Sequence, residues 1–419
     1  MDRIIVRGRA RLEGEVRVSG SKNSSLALMA AALLADGVTT LENVPRLRDV
    51  DAMLELLGAL GASACWEHDD SHTLRIDTGG VDKVEAPYDL VRKMRASFMV
   101  LGPLLARCGT ARVSEPGGCA IGVRPIDQHL KGLEALGAKV KLDHGYVEAA
   151  SPGLVGARLA FDVVTVNGTQ NVLMAAALAR GETVIENAAR EPEVVELATL
   201  LNQMGAEVRG AGSDRISVTG VETLRPVRHE VTGDRIEAGT LLAAGAITRG
   251  DVRVTGIDPA SMESTLEKLR ELGALIEVSG DSARLRASGP LRGVRAVTAP
   301  FPGFPTDMQA QLMAVLTLAE GSSVVVENVF ENRFMHVPEL QRLGADITVS
   351  GRSAHVRGVA GLMGAPVMAT DLRASAGLLI AGLAADGDTA VNRVYHIDRG
   401  YERIEAKLRG LGADIERES

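Results

Sequence analysis

Aromatic residues make up only 3% of this 419-residue chain. That leaves too few rings for the stacking platforms that hold single-stranded nucleic acid. Charge of one sign is not concentrated anywhere. The net charge is −8, and no run of like charges forms a basic arm, so neither nucleic acid nor an anionic membrane is an expected partner. The cysteines are Cys65, Cys108 and Cys119, an odd number without a Cys-x-x-Cys spacing. This excludes a disulfide framework and a zinc knuckle. The histidines show no metal-ligand spacing, no Gly-x-Gly-x-x-Gly follows a strand, and no phosphate-binding P-loop is present. The longest apolar stretches, residues 26–35 and 374–385, are too short to span a bilayer and read as core helices. The first residues, Arg3-Ile4-Ile5-Val6-Arg7, read as a strand and not as a signal peptide. A cytoplasmic protein with reduced thiols is expected.

What is abundant is glycine, and its placement is periodic. A Leu-Gly-Ala triplet or close variant ends a helical segment at Gly61, Gly137, Gly205, Gly273, Gly344 and Gly412. Glycine at such a place is a helix C-cap, free to adopt positive φ. A second marker precedes each one. Alanine-rich helices end at Gly37, Gly109, Gly181, Gly250, Gly321 and Gly387, and a short strand follows each. The intervals between paired markers are 24, 28, 24, 23, 23 and 25 residues. The chain is therefore six copies of one unit of roughly 70 residues, each reading strand, helix, strand, helix and a strand pair. Polar joints at Ser19-Gly20-Ser21-Lys22-Asn23 and at residues 227–234 divide the copies into two triplets. Residues 20–229 form one expected domain. Residues 1–19 and 230–419 form the other, with a small-molecule site in the cleft between them.

Several residues stand out as carriers of chemistry. Cys119 lies in Pro116-Gly117-Gly118-Cys119-Ala120-Ile121-Gly122-Val123-Arg124-Pro125, a loop that no regular helix or strand can occupy. Arg124 is placed to lower the thiol's pKa, although a free cysteine is also commonly a small buried hydrophobe. Cys65 follows a Leu-Gly-Ala cap and Cys108 ends an apolar helix, so both read as structural. Lys22 and Asn23 open the first alanine-rich helix, either as an anion site or as a solvated cap. Arg95, Arg124, Arg333, Arg373 and Arg399 all occupy helix starts or the joints before them. A set of arginines at equivalent joints suggests convergence on a shared phosphate or carboxylate. Asp307 falls in the first turn of a helix. It is either a partner of the helix dipole or a general base.

Eight ordered segments carry a resemblance over essentially the whole chain. They include Lys93-Met94-Arg95-Ala96-Ser97, the Cys119 loop, Arg124-Pro125-Ile126-Asp127, Glu186-Asn187-Ala188-Ala189-Arg190-Glu191-Pro192-Glu193, Phe304-Pro305-Thr306-Asp307, Glu331-Asn332-Arg333-Phe334-Met335-His336, Thr370-Asp371-Leu372-Arg373 and Ile397-Asp398-Arg399-Gly400-Tyr401. With these the chain resembles the enolpyruvyl transferases, and among them those that act on a UDP-sugar. The resemblance implies a fold of two inside-out α/β domains, each with three pseudo-three-fold repeats and an active site in the interdomain cleft. It implies transfer of the enolpyruvyl group of phosphoenolpyruvate to the 3′-hydroxyl of UDP-N-acetylglucosamine. Phosphate is released, and the step is the first committed one of peptidoglycan synthesis. It further implies that Lys22, Asn23, Arg124 and Arg399 hold phosphoenolpyruvate. Asn23, Arg95, Arg124, Pro125, Ile126, Asp127, Gln128, Asp307 and the backbone of Val329 hold the UDP-sugar. Catalysis falls to Cys119, Asp307, Lys22 and Arg399, with Arg333, Asp371 and Arg373 nearby. No metal or organic cofactor is implied. The alternatives are a transferase for shikimate 3-phosphate, whose motifs lack this cysteine loop, and a non-catalytic clamp built from repeats.

Overall fold

The structure, a computed structural model, describes residues 2–69, 71–116, 122 and 125–418. The chain forms two compact units, one holding Gly20–Gly118 and Arg124–Thr232, the other Met1–Ser19 and Gly233–Ser419. It passes from one to the other at Ser19–Gly20 and at Thr232–Gly233.

Six alanine-rich helices organise the units: α1 (Lys22–Ala31), α2 (Leu101–Cys108) and α3 (Val166–Ala176) in the first, and α4 (Arg235–Ile247), α5 (Gln309–Leu316) and α6 (Leu372–Ala384) in the second. A helix that is apolar all round must be buried all round. Accordingly α1 exposes no residue except Asn23, and α5 none at all. Small side chains let such helices approach closely, and α4, α5 and α6 pack directly on one another. Each unit has its own apolar core, the first centred on residues such as Leu28, Leu33 and Leu57, the second on Leu242, Leu316 and Leu379. Each fully buried leucine contributes about 1.5–3 kcal/mol.

Among the described residues, six four-stranded sheets share one strand order. In the third repeat, Arg158–Ala160 pairs in parallel with Glu182–Glu186, which pairs antiparallel with Arg215–Thr219, which pairs antiparallel with Glu207–Arg209. The parallel pair requires a crossover helix, here α3, and the antiparallel pair a short connection. Three sheets take strands from elsewhere in the chain, one of them through Glu13–Arg17, which pairs in parallel with Asp251–Thr255 of the fourth repeat. Arg228–Glu230 supplies the parallel edge of the first repeat, against residues 40–42. In the last repeat Arg3–Arg7 lies between Asp414–Glu418 and Asp388–Asn392 and pairs antiparallel with both.

All six Leu-Gly-Ala glycines have positive φ, from 89° at Gly137 to 114° at Gly205. The alanine-helix markers follow the same rule except Gly250, where Arg249 makes the left-handed turn instead. Gly250 is needed for another reason: a Cβ there would lie 2.1 Å from the Leu12 carbonyl oxygen. Among the described residues, no helix is long and apolar enough to cross a membrane.

Candidate active site

In the first unit the site residues cluster at helix starts. Ser21 caps α1 by accepting from the Ser24 amide, which leaves Lys22 as the first helical residue. A cation at a helix N-terminus opposes the helix dipole, and this one is also buried. Its Nζ lies 2.7 Å from Asp49 Oδ2, with side-chain exposures of 10% and 4%. A residue that local energetics disfavour marks a place selected for something else. Asn23, next along, is exposed. Arg95 opens a 3-10 turn (Arg95–Val100) that runs into α2, and is half-buried. Its charge adds to burial in lowering the pKa of His129 to about 4. The neutral His129 ring receives a 3.0 Å contact at Nδ1 from the Asn171 amide, which ties α3 to the helix Asp127–Ala135.

Pro125 and Asp127 are exposed and Ile126 is half-buried, while Gln128 is buried. The Gln128 amide nitrogen donates to Asp127 and Asp162, and its oxygen accepts from the Asp162 amide. Lys131 and Gln128 together hold the Asp162 carboxyl below its usual range. Thr165 caps α3 at the stretch 164–171 that the sequence left unassigned. Cys119 and Arg124 lie outside the described residues. Cys65 and Cys108 are both exposed. Cys65 stands on an outer edge strand (Ser63–Trp66), and Cys108 sits at the last turn of α2, where the helix leaves the core.

In the second unit Asp307 does not start a regular α-helix. It sits in a 3-10 turn (Thr306–Met308) that leads into α5. Its two oxygens are divided between two guanidinium groups: Arg333 Nη2 reaches Oδ1 at 2.7 Å and Arg373 Nε reaches Oδ2 at 3.3 Å. Both arginine side chains are nearly inaccessible, at 6% and 3%, whereas Asp307 is 28% exposed. The carboxylate is thus held by two buried guanidinium groups and remains partly exposed. Burial opposes the charge on Arg373, but Tyr401, Asp307 and Asp234 outweigh it and raise its pKa. The Tyr401 hydroxyl lies 2.9 Å from Thr240 on α4 and 3.1 Å from Gln311 on α5. One buried polar knot therefore joins the three central helices below Asp307.

Asp371 caps α6 through the Arg373 and Ala374 amides, so one carboxylate sets the height of Arg373. Val329 is half-buried, and its amide is committed to Glu327 Oε1 at 2.9 Å. Arg399 ends a 3-10 turn (Val394–Arg399) just before Tyr401 and is half-buried. His336 is buried, with its pKa lowered to about 4, chiefly by burial. Among the described residues, no group of three or more potential ligands could hold a metal ion.

The structure thus brings together Asp307, Arg333, Arg373 and Asp371, and pairs Lys22 with an unanticipated Asp49. Tyr401, Gln311 and Glu327 were not anticipated as site residues either. Tyr401 lay within a quoted motif, and Glu327 carried a positional signal through its distance from the Gly321 marker.

Relatives of the chain carry the same architecture. The family described as EPSP synthase (3-phosphoshikimate 1-carboxyvinyltransferase) matches residues 6–408. A protein of Myxococcus xanthus named UDP-N-acetylglucosamine 1-carboxyvinyltransferase is 58% identical over the full length of both chains. One of the same name from Trichlorobacter lovleyi is also 58% identical over the full length of both. Among solved structures, the enolpyruvyl transferase NikO from Streptomyces tendae superposes with a TM-score of 0.89 at 28% identity, covering 99% of this chain and 98% of its own. EPSP synthase from Acinetobacter baumannii reaches 0.76 at 18% identity over the full length of both, a likeness of fold. The chain is a transferase that belongs to the enolpyruvyl transferase family, in the group named UDP-N-acetylglucosamine 1-carboxyvinyltransferase.

Proposed function

We propose that this enzyme transfers the enolpyruvyl group of phosphoenolpyruvate to the 3′-hydroxyl of UDP-N-acetylglucosamine and releases phosphate, in the cytoplasm, as the entry step of peptidoglycan synthesis. The observation that carries the proposal is the grip of Arg333 and Arg373 on Asp307. It leaves a carboxylate fixed in orientation and partly open, as a group that must meet a substrate hydroxyl requires.

In the addition step the 3′-hydroxyl proton passes to Asp307, the oxygen bonds to C2 of phosphoenolpyruvate, and Cys119 delivers a proton to the methylene carbon. The product is a tetrahedral intermediate that still carries the phosphate. In the elimination step the methyl carbon returns a proton, the C2–O bond to phosphate breaks, and the enol double bond re-forms on the sugar. Lys22, Arg124 and Arg399 match the carboxylate and phosphate of phosphoenolpyruvate in charge, and Asn23 is assigned to the same substrate. Arg95, residues 125–128 and Val329 are assigned to the sugar nucleotide.

Phosphate release is the test. Turnover is expected with phosphoenolpyruvate plus UDP-N-acetylglucosamine and not with phosphoenolpyruvate plus shikimate 3-phosphate. The reverse pattern would overturn the assignment.

A further inference from the structure

Six residues after the glycine that ends an alanine-rich helix, four of the six repeats turn the backbone through a left-handed residue, while the second repeat carries the exposed Glu115 there without such a turn. Asn43, Asn187, Gly256 and Arg393 occupy this place in four repeats, all with positive φ between 55° and 78°. Asn43 and Asn187 donate their side-chain amides to the carbonyls of Val231 and Phe161. In the fifth repeat the same place, six residues after Gly321, holds Glu327. It has no left-handed turn and is 1% exposed.

A buried carboxylate survives only if donors satisfy it. Glu327 has four. Oε1 accepts from Thr298 Oγ1 at 2.9 Å, the Val329 amide at 2.9 Å and the Phe330 amide at 3.0 Å. Oε2 accepts from Thr306 Oγ1 at 2.9 Å. A threonine hydroxyl has one hydrogen. Once that hydrogen points at Glu327, only lone pairs remain for other partners, and Arg333 Nη1 donates to them at 2.9 Å. The other terminal nitrogen of Arg333 holds Asp307. The Phe330 ring, on a residue whose backbone N–H donates to Glu327, has its centroid 5.2 Å from the same guanidinium.

We propose that Glu327 is a positioning residue that orients Asp307 through Thr306 and Arg333 while its second oxygen pins the loop bearing Val329. The proposal rests on the reading of Asp307 as the base that meets the sugar hydroxyl. One carboxylate would then set, in a single geometry, the reacting group and a backbone segment assigned to the sugar nucleotide.

Glu327→Gln separates the two arms. Three donors point at Oε1, so the amide oxygen stays there and the NH₂ replaces Oε2. The loop keeps its bonds, whereas Thr306 meets a donor and must turn its hydrogen elsewhere. Misplacement of a reacting group by a fraction of an ångström to an ångström costs roughly 10–100-fold in rate. We therefore expect Glu327→Gln to lower kcat by roughly 10–100-fold while the Kd for UDP-N-acetylglucosamine stays within about threefold. Thr306→Val removes the same link and should show the same loss. The double variant should be no slower than the slower single one, because both break one relay.

The proposal is overturned if Glu327→Gln keeps kcat within about twofold of the parent, or if the two losses multiply. It is equally overturned if kcat, sugar-nucleotide affinity and melting temperature fall together. Should Glu327→Gln fail to fold, Thr306→Val alone decides by the same kcat and Kd criteria. Asp307→Asn, run alongside, separates the two levels: normal turnover there defeats the base assignment, whereas lost turnover with an unaffected Glu327→Gln defeats only the relay.

Discussion

Arg333 and Asp307 are joined end-on, Nη2 to Oδ1 at 2.7 Å, and Arg373 closes the other side of the same carboxylate at 3.3 Å. The two arginines come from different repeats, one from the loop before a short helix (Val337–Arg342) and one from the first turn of α6. Asp307 therefore has a direction as well as a charge, and the substitutions below separate the two.

Asp307→Asn should abolish most turnover while UDP-N-acetylglucosamine still binds. Loss of a general base costs about 10²–10⁴-fold in rate, and loss of one hydrogen bond to a charged group about 1.5–3 kcal/mol in binding. The asparagine oxygen keeps an acceptor for one guanidinium group, while its NH₂ faces the other. Asp307→Ala would leave two buried cations without that acceptor, so its melting temperature should fall further. Phosphate release and titration calorimetry on the same preparation check the pair, and near-parental turnover would return Asp307 to a structural role.

Tyr401→Phe should destabilise the second unit. It removes a hydroxyl shared by Thr240 and Gln311, each of which keeps a backbone partner, Ile236 and Asp307 respectively. Loss of buried hydrogen bonds without exposure of new surface should cost about 1–2 kcal/mol. In urea the midpoint should drop with an unchanged slope. A midpoint equal to the parent's would show that the hydroxyl does not hold the three helices together.

Acid should weaken each unit through one buried histidine. Burial holds His129 and His336 at a pKa of about 4, below the 6.5 of a free imidazole. Between those values the unfolded chain takes up a proton at each ring and the folded chain does not. Stability is therefore fully present above about pH 6.5 and declines as the pH falls toward 4, by about 2–3 kcal/mol for a shift of this size. Urea midpoints at several pH values measure the slope. His129→Leu should flatten it whatever its effect on absolute stability, and an unchanged slope would refute the role of that ring.

Fosfomycin, a phosphonate epoxide shaped like phosphoenolpyruvate, should label Cys119 alone. Cys65 and Cys108 are exposed, so selectivity cannot come from access. Partial desolvation raises the Cys108 pKa, with Arg107 opposing, which keeps that thiol protonated and slow. N-ethylmaleimide, which needs only access, should label Cys65 and Cys108 as well. Peptide mass spectrometry distinguishes these patterns, and equal fosfomycin labelling of all three thiols would remove the case for a specialised Cys119.

The repeat architecture was legible from glycine spacing because a helix that must stop and turn at positive φ demands that residue in every copy. The burial of the alanine-rich helices was legible too, since a helix without a polar face has nowhere to go but inside. Individual arginines at helix starts could be named from the same positions. What the linear chain does not encode is which of them meet. Arg333 and Arg373 lie 26 and 66 residues beyond Asp307, and only the packing of α4, α5 and α6 brings them to one carboxylate. Asp49 was invisible for the same reason: its partner Lys22 is 27 residues away, and nothing local marks an aspartate in a first helical turn as anything but a dipole partner. The exposure of Cys65 and Cys108 was not legible either, because sequence position gives distance from a cap or helix end, whereas exposure depends on whether another element covers that end. Motif and period are local and additive along the chain. Contact and burial belong to the sum of all six repeats and were decided only when they packed.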